Sequence, residues 1–274
     1  MSDSSGDKGF TGSIPEIYDR YLVPLIFDYY AADLANRLAG RKLGSVLEIA
    51  AGTGVVTRRL AEKLRPEVAI TSTDLNQPMI DQARKAGTAR PVEWRQADAT
   101  NLPFPDRSFD AVVCQFGVMF FPDKPKAYSE ARRVLKPGGL FLFNVWDRIE
   151  DNEFADTVTT ALAGVFPNDP PRFMARTPHG YRDRERIDSD LQAGGFTTTR
   201  YTTLAARSIA PSADIPALAY CQGTPLRNEI ESRGSVSLGD ATAIAASALA
   251  KKFGRGRVEG KIQALVVEAD APAA

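Results

Sequence analysis

Val46-Leu-Glu-Ile-Ala-Ala-Gly-Thr-Gly54 is the stretch whose reading decides the fold. Val46–Ala50 reads as a buried strand and Thr53–Leu64 as a helix ending before Pro66, which leaves small residues at 50, 51, 52 and 54 around the turn. Small residues let a ligand approach the backbone, and a helix N-terminus offers free N–H groups to a carboxylate or phosphate. Turns of this composition also occur in dehydrogenases and in purely structural connections, so the segment needs support from the rest of the chain.

Outward from it the same alternation repeats. Val68–Thr73, Val92–Gln96, Phe109–Gln115 and Leu140–Trp146 read as strands. Pro78–Ala86 and Lys124–Leu135 read as helices, the second stopped by Pro137-Gly138-Gly139. Strands alternating with helices predict βαβ units and a parallel α/β sheet, which binds ligands beyond the carboxyl ends of its strands. Those ends carry signals. Asp74 closes the second strand, 20 residues after Gly54, where a carboxylate can take both hydroxyls of a ribose or cap the following helix. Asp98-Ala99 closes the third, placed to meet an adenine amine or to turn the chain, and Phe116 follows the fourth as ligand wall or core.

Upstream, Ser13-Ile-Pro-Glu16 has the pattern of a capping box. A helix is expected over Ile14–Leu22, interrupted by Pro24, with a second over Leu25–Leu38. Residues 1–12 are Ser/Gly/Asp-rich and expected to be loose. Past Asp147, Asn152–Val165 and Arg184–Ala193 read as helices, Pro167–Pro178 as irregular, and Phe196–Ala205 and Ile262–Ala269 as two more strands. Those strands are separated by far more chain than a hairpin needs, including a helical Ala241–Lys252, so an insertion is expected there.

Composition narrows the function classes. Among 274 residues, 34 Lys+Arg balance 34 Asp+Glu, which argues against holding DNA or anionic lipid by bulk charge. The basic run Lys251–Arg257 reads as a solvated face. Two cysteines, Cys114 and Cys221, make neither a disulfide framework nor a thiolate zinc site, and no metal is expected. The N-terminus lacks the layout of a signal peptide and no apolar stretch is long enough to span a bilayer, so a cytoplasmic protein without membrane partners is expected.

Taken as a set, the motifs resemble a known family. They are Val46–Gly54, Thr73-Asp-Leu-Asn-Gln-Pro-Met79, Gln96-Ala-Asp-Ala99, Asn101-Leu-Pro-Phe-Pro105, Phe109-Asp-Ala-Val-Val113 and Arg133-Val-Leu-Lys-Pro-Gly-Gly139. Together they are similar to the class I S-adenosylmethionine-dependent methyltransferases, and within these to the type 11 group that includes ubiquinone/menaquinone-biosynthesis C-methyltransferases. The resemblance implies a Rossmann-like, mostly parallel seven-stranded sheet with helices on both faces. It implies a helical cover over 13–40, a cofactor-binding core over 41–149, and a remainder over 150–274 with substrate lid segments at 150–181 and 211–256.

It also implies S-adenosyl-L-methionine as cofactor, S-adenosyl-L-homocysteine as product, and a small, partly apolar acceptor methylated by in-line displacement. Glu48, Ala50, Gly52 and Gly54 would face the methionyl part, Asp74 the ribose, Leu75 or Met79 the adenine flanks, and Asp98 and Ala99 the adenine amine. Gln115 and Phe116 would lie near the methionine moiety. The family often has glycine where this chain has Ala50. Tyr18 and Tyr21, on the N-terminal helix, are candidates to touch the cofactor or to take part in catalysis, or they pack on the sheet. His179, the only histidine, is a candidate base or a loop residue. Two other readings stay open. One is a cofactor-binding module without transfer. The other is a nicotinamide dehydrogenase, against which Gly52-x-Gly54-x-x-Thr57 lacks the third small residue. Nucleic-acid methylation is disfavoured by charge and by the lack of an Asn/Asp-Pro-Pro-aromatic tetrad at the fourth strand's end.

Overall fold

The structure is a computed structural model that describes residue 10 and residues 12–273. Helix α1 (Ile14–Ile17) runs into wide π-type turns (Tyr18–Phe27) and on into α2 (Asp28–Ala39). Strand β1 (Ser45–Glu48) leads to α3 (Val55–Lys63), and β2 (Ala69–Asp74) to α4 (Gln77–Ala86). After β3 (Glu93–Gln96) and β4 (Phe109–Gln115), α5 (Lys124–Val134) passes directly into β5 (Leu135–Trp146). Helices α6 (Glu153–Val165), α7 (Phe173–Arg176) and α8 (Arg184–Ala193) precede β6 (Thr198–Ala210). Helices α9 (Asp214–Gln222), α10 (Leu226–Arg233) and α11 (Leu238–Phe253) then separate β6 from β7 (Val258–Asp270).

The seven strands form one sheet in the order β3-β2-β1-β4-β5-β7-β6. The pairs β1–β2, β1–β4, β2–β3 and β4–β5 are parallel. Gly138 N–H donates to the Pro272 carbonyl and Ala271 N–H to the Gly139 carbonyl, an opposed register that makes β7 antiparallel to β5. From β1 the chain first builds outward to β2 and β3, then crosses back to β4. The carboxyl ends of β1 and β4 therefore flank the switch point at which open α/β sheets bind ligands. Strands buried on both faces read as near-continuous apolar runs, and Ala111–Cys114 and Leu140–Phe143 are all buried.

Contacts divide the chain into two compact units. One comprises Asp28–Val145, Tyr181–Leu204 and the chain from Ala264 onward. In it α2 packs on α3 and α5 on α8, and the Tyr128 hydroxyl donates to the Tyr181 hydroxyl, which donates to Asp190. The entrance to β1 is fixed by Asp110 at the start of β4. Its Oδ2 accepts from the Gly44 and Ser45 N–H groups, both at 2.8 Å, and its Oδ1 pairs with Lys136 Nζ at 2.8 Å. The other unit comprises the chain up to Phe27, Trp146–Gly180 and Ala205–Gln263. There α11 packs on α6 and α9, Phe154 meets Phe253 edge to face, and Glu153 and Asn152 accept from the Lys261 and Gln263 N–H groups.

Four local expectations are corrected. Pro24 does not interrupt the N-terminal helix: it lies inside the wide turns of Tyr18–Phe27, whose looser hydrogen-bond spacing makes room for a ring that clashes in a regular helix. Ser13 makes no capping bond, and its hydroxyl instead accepts from Arg227. Pro137-Gly138-Gly139 is a bulge inside β5, between the pairs Phe109↔Leu135 and Ala111↔Leu140, so the strand starts earlier than Leu140. The insertion holds three helices where sequence periodicity shows only the last, because α9 and α10 have little amphipathic contrast. The expectation for residues 1–12 falls, apart from Phe10 and Gly12, outside the described residues.

Asp110→Ala leaves two backbone donors and Lys136 without their shared acceptor. It is expected to lower unfolding free energy by about 1–2 kcal/mol, read from the urea midpoint, with Asp110→Asn losing less.

Candidate cofactor site

Beyond Glu48 the chain leaves β1 and folds back on its neighbours. Ile49 N–H donates to the Val113 carbonyl of β4 at 2.9 Å, and Ala51 N–H to the Thr73 carbonyl of β2 at 2.8 Å. Three residues of the loop are left-handed: Ala50 (φ 53°), Gly52 (φ 57°) and Gly54 (φ 81°). Ala50 accepts this at a cost of about 1–2 kcal/mol relative to its ordinary conformations. Gly54 has no alternative, since a Cβ there would come within 2.7 Å of the Trp94 ring.

The acidic ends of the strands close around that loop. Asp74 is 7% exposed; its Oδ2 accepts from Gly52 N–H at 2.8 Å and its Oδ1 from Asn76 N–H at 2.8 Å. Burial raises the Asp74 pKa against the opposing pull of these N–H groups. The Asp74 carbonyl takes Ala97 N–H, which draws β3 to the same edge. Leu75 is 47% exposed whereas Met79 is buried beneath the start of α4. Asp98 is exposed, with Oδ1 committed to the Thr100 N–H and hydroxyl, and Ala99 is half-buried beside it.

At the end of β4, Gln115 is half-buried and Phe116 is buried with its ring edge on Tyr30, 5.3 Å between centroids. Phe116 is also left-handed, at φ 48°. The following Gly117 lies so close to the loop that a Cβ would sit 2.6 Å from that of Ala50. The structure thus gathers Ala50, Gly52, Gly54, Asp74, Leu75, Met79, Asp98, Ala99, Gln115 and Phe116 along one edge of the sheet.

Glu48 takes a different place. It is 1% exposed, and its Oε2 accepts from the hydroxyls of Thr57 on α3 and Ser72 on β2. Its carboxyl therefore braces helix, loop and sheet from within. Complete burial pushes it up to about 8, against the pull of Thr57 and Ser72.

Tyr18, Tyr21 and His179 belong to the other unit. There a file of rings runs from Tyr18, stacked on Phe27 at 5.0 Å, through Trp146 to His179. Tyr21 lies under the Arg20 guanidinium. His179 Nδ1 lies 2.8 Å from the Asp147 carbonyl; a carbonyl only accepts, so Nδ1 carries a proton.

Sequence reasoning missed two residues of this edge. Gly117 has a signal only in its closeness to Ala50, which is tertiary. Asn144 of β5, whose Oδ1 accepts from Phe116 N–H at 2.9 Å, does have one: it is a lone amide in the apolar run Leu140–Trp146.

Sheet order and the left-handed loop after β1 agree with the class I S-adenosylmethionine-dependent methyltransferase fold that the sequence motifs imply. A family profile described as a methyltransferase domain matches residues 47–143. The ubiquinone/menaquinone biosynthesis C-methyltransferase UbiE of Escherichia coli O1:K1 / APEC is 30% identical over 183 residues, 62% of this chain and 73% of that protein. The protein of the same name from Saccharophagus degradans is 28% identical over 198 residues, 68% and 78% of the two chains. Among solved structures, a putative methyltransferase from Bacillus halodurans C-125 superposes with a TM-score of 0.55 at 20% identity, covering 89% of this chain and 99% of that one. A Haemonchus contortus phosphoethanolamine N-methyltransferase 2, in complex with S-adenosyl-L-methionine, gives 0.60 at 18%, covering 97% and 59%. The chain belongs to the UbiE-like methyltransferases that act on small molecules, with S-adenosyl-L-methionine as cofactor.

The residues present fit that cofactor: a carboxylate fixed at the end of β2, a loop without a side chain at Gly52, and a buried Thr53 hydroxyl with no protein partner among the described residues.

The brace at Glu48 predicts a pH dependence. In the unfolded chain this carboxyl ionises near its ordinary 4.5, whereas the folded protein keeps the proton up to about 8. Between those values the native state binds the extra proton, so raising pH favours unfolding and the contribution is lost as pH passes about 8. Glu48→Gln, neutral throughout, is expected to gain on the parent in melting temperature between pH 6 and 9, with equal melting at pH 5 or a small deficit.

Proposed function

We propose that the loop Ala50–Gly54, Asp74 and the ends of β3 and β4 hold S-adenosylmethionine, and that the acceptor is a small, partly apolar molecule. The observation that carries this reading is the buried Asp74 carboxylate. Its two oxygens are already aimed by the Gly52 and Asn76 N–H groups and retain lone pairs for the two hydroxyls of a ribose. Leu75 and Met79 flank an adenine, Asp98 and Ala99 meet its amine, and Gly52 admits the methionyl chain to the backbone.

When bound, the cofactor supplies a methyl group already activated on a sulfonium. The protein's part is then to place the acceptor in line and exclude water, and placement alone is worth roughly 7–11 kcal/mol in favourable systems. His179, whose Nδ1 is held by the Asp147 carbonyl, is the base we propose for an acceptor that carries a proton. Balanced charge supports a small acceptor over nucleic acid. Among the described residues no helix is long and apolar enough to cross a membrane, and both cysteines are free and buried, which supports a reducing, cytoplasmic setting.

The test is calorimetric titration with S-adenosylhomocysteine, S-adenosylmethionine and NAD. The first two are expected to bind in the micromolar range and NAD not at all. Asp74→Ala is expected to weaken both by at least tenfold, the order of one or two lost hydrogen bonds to a charged group. Binding of NAD alone, or of none of the three, would overturn the assignment.

A further inference from the structure

Asn144 stands in the middle of an apolar strand, is 0% exposed, and pairs in register with Gln115 of β4. Its Oδ1 accepts from Phe116 N–H at 2.9 Å, and its own backbone carbonyl shares the same proton at 3.2 Å. That orientation of the amide is fixed, because the reverse would set Nδ2 against the Phe116 N–H. It leaves Nδ2 buried without a protein partner among the described residues. An unsatisfied buried donor is costly, and a leucine, branched at the same carbon but apolar, would avoid it. Asn144 therefore carries a stability cost for the sake of its carbonyl oxygen.

What that oxygen holds is the least comfortable residue of the site. Phe116 is an aromatic side chain in left-handed backbone at φ 48°, a conformation that persists only where its surroundings over-determine it. Gly117, immediately after it, is the residue that touches Ala50 of the glycine-rich loop. The shape of the β4 turn thus sets how closely that loop approaches.

We infer that Asn144 is a positioning residue of the cofactor site: its side-chain oxygen holds the Phe116 turn in the shape that binding requires. This rests on the reading of the β1–β4 edge as the S-adenosylmethionine site.

The experiment is S-adenosylhomocysteine affinity by calorimetry alongside melting temperature for Asn144→Leu and Asn144→Asp, each with and without Phe116→Gly. Asn144→Leu is expected to melt within a few degrees of the parent yet bind at least tenfold more weakly, and Asn144→Asp, which keeps the acceptor, to stay within threefold. Glycine adopts φ 48° freely. In the Phe116→Gly background the effect of Asn144→Leu is therefore expected to shrink below threefold. If Asn144→Leu fails to fold, Asn144→Ala takes its place in the same comparison. Unchanged binding in Asn144→Leu, equal loss in Asn144→Asp, or an undiminished loss beside Phe116→Gly would each overturn the inference. A parent protein that bound no S-adenosylhomocysteine would instead overturn the cofactor reading beneath it.

Discussion

One hydrogen bond, from Gly52 N–H to the Asp74 carboxylate, ties the loop after β1 to the end of β2, and the site depends on it. The neighbouring backbone bonds of Ile49 and Ala51 hold the loop to the strands, and this one alone joins it to the carboxylate side chain. With it, a charge buried at 7% exposure has a donor on one oxygen and Asn76 on the other, so it can remain in a place where burial alone would neutralise it. The bond also makes Asp74 both part of the scaffold and a ligand-facing group. Many binding sites separate those two duties.

The strain in the loop is shared. Ala50 and Phe116 are both non-glycine residues in left-handed backbone, they precede the two chain reversals that flank the switch point, and Gly117 brings the reversals into contact. Two strained residues in contacting turns are costly unless the surrounding sheet is rigid. The rigidity comes from β1 and β4, buried along their whole paired length, and from the Glu48–Thr57–Ser72 cluster behind the loop. Burial, against the pull of those hydroxyls, holds the Glu48 carboxyl mainly in the protonated form at neutral pH, which avoids placing a second buried negative charge beside Asp74.

Most of the unit that carries β1–β5 is legible in the sequence because its strands are short apolar runs punctuated by glycine, proline and aspartate, signals that act over a few residues. Asp74, Asp98 and the small residues at 50–54 are visible for the same reason: each is a local exception at a predictable strand end. What escapes is decided at a distance. Pro24 has a strong local meaning that a widened helix overrides, and Ser13 finds Arg227 rather than its own helix. Glu48 reads as the first residue of a ligand loop, yet the register of β1 against β2 turns its carboxyl to Ser72. Strands β6 and β7 run on beyond their apolar centres into polar sequence that carries no strand signal, where Arg207 meets Glu259 and Arg200 meets Asp270.

Strand β7 follows every other strand in the chain yet lies inside the sheet, between β5 and β6. On a ribosome, β1 to β5 can find their partners as they emerge. β6 has no neighbour to pair with until Val258–Asp270 has been made, so its thirteen residues wait as an open edge through the synthesis of three helices. Pairing that late closes a long loop and forms slowly. The four threonines and two arginines of Thr198–Ala210 make that exposed strand a poor template for other chains in the interval.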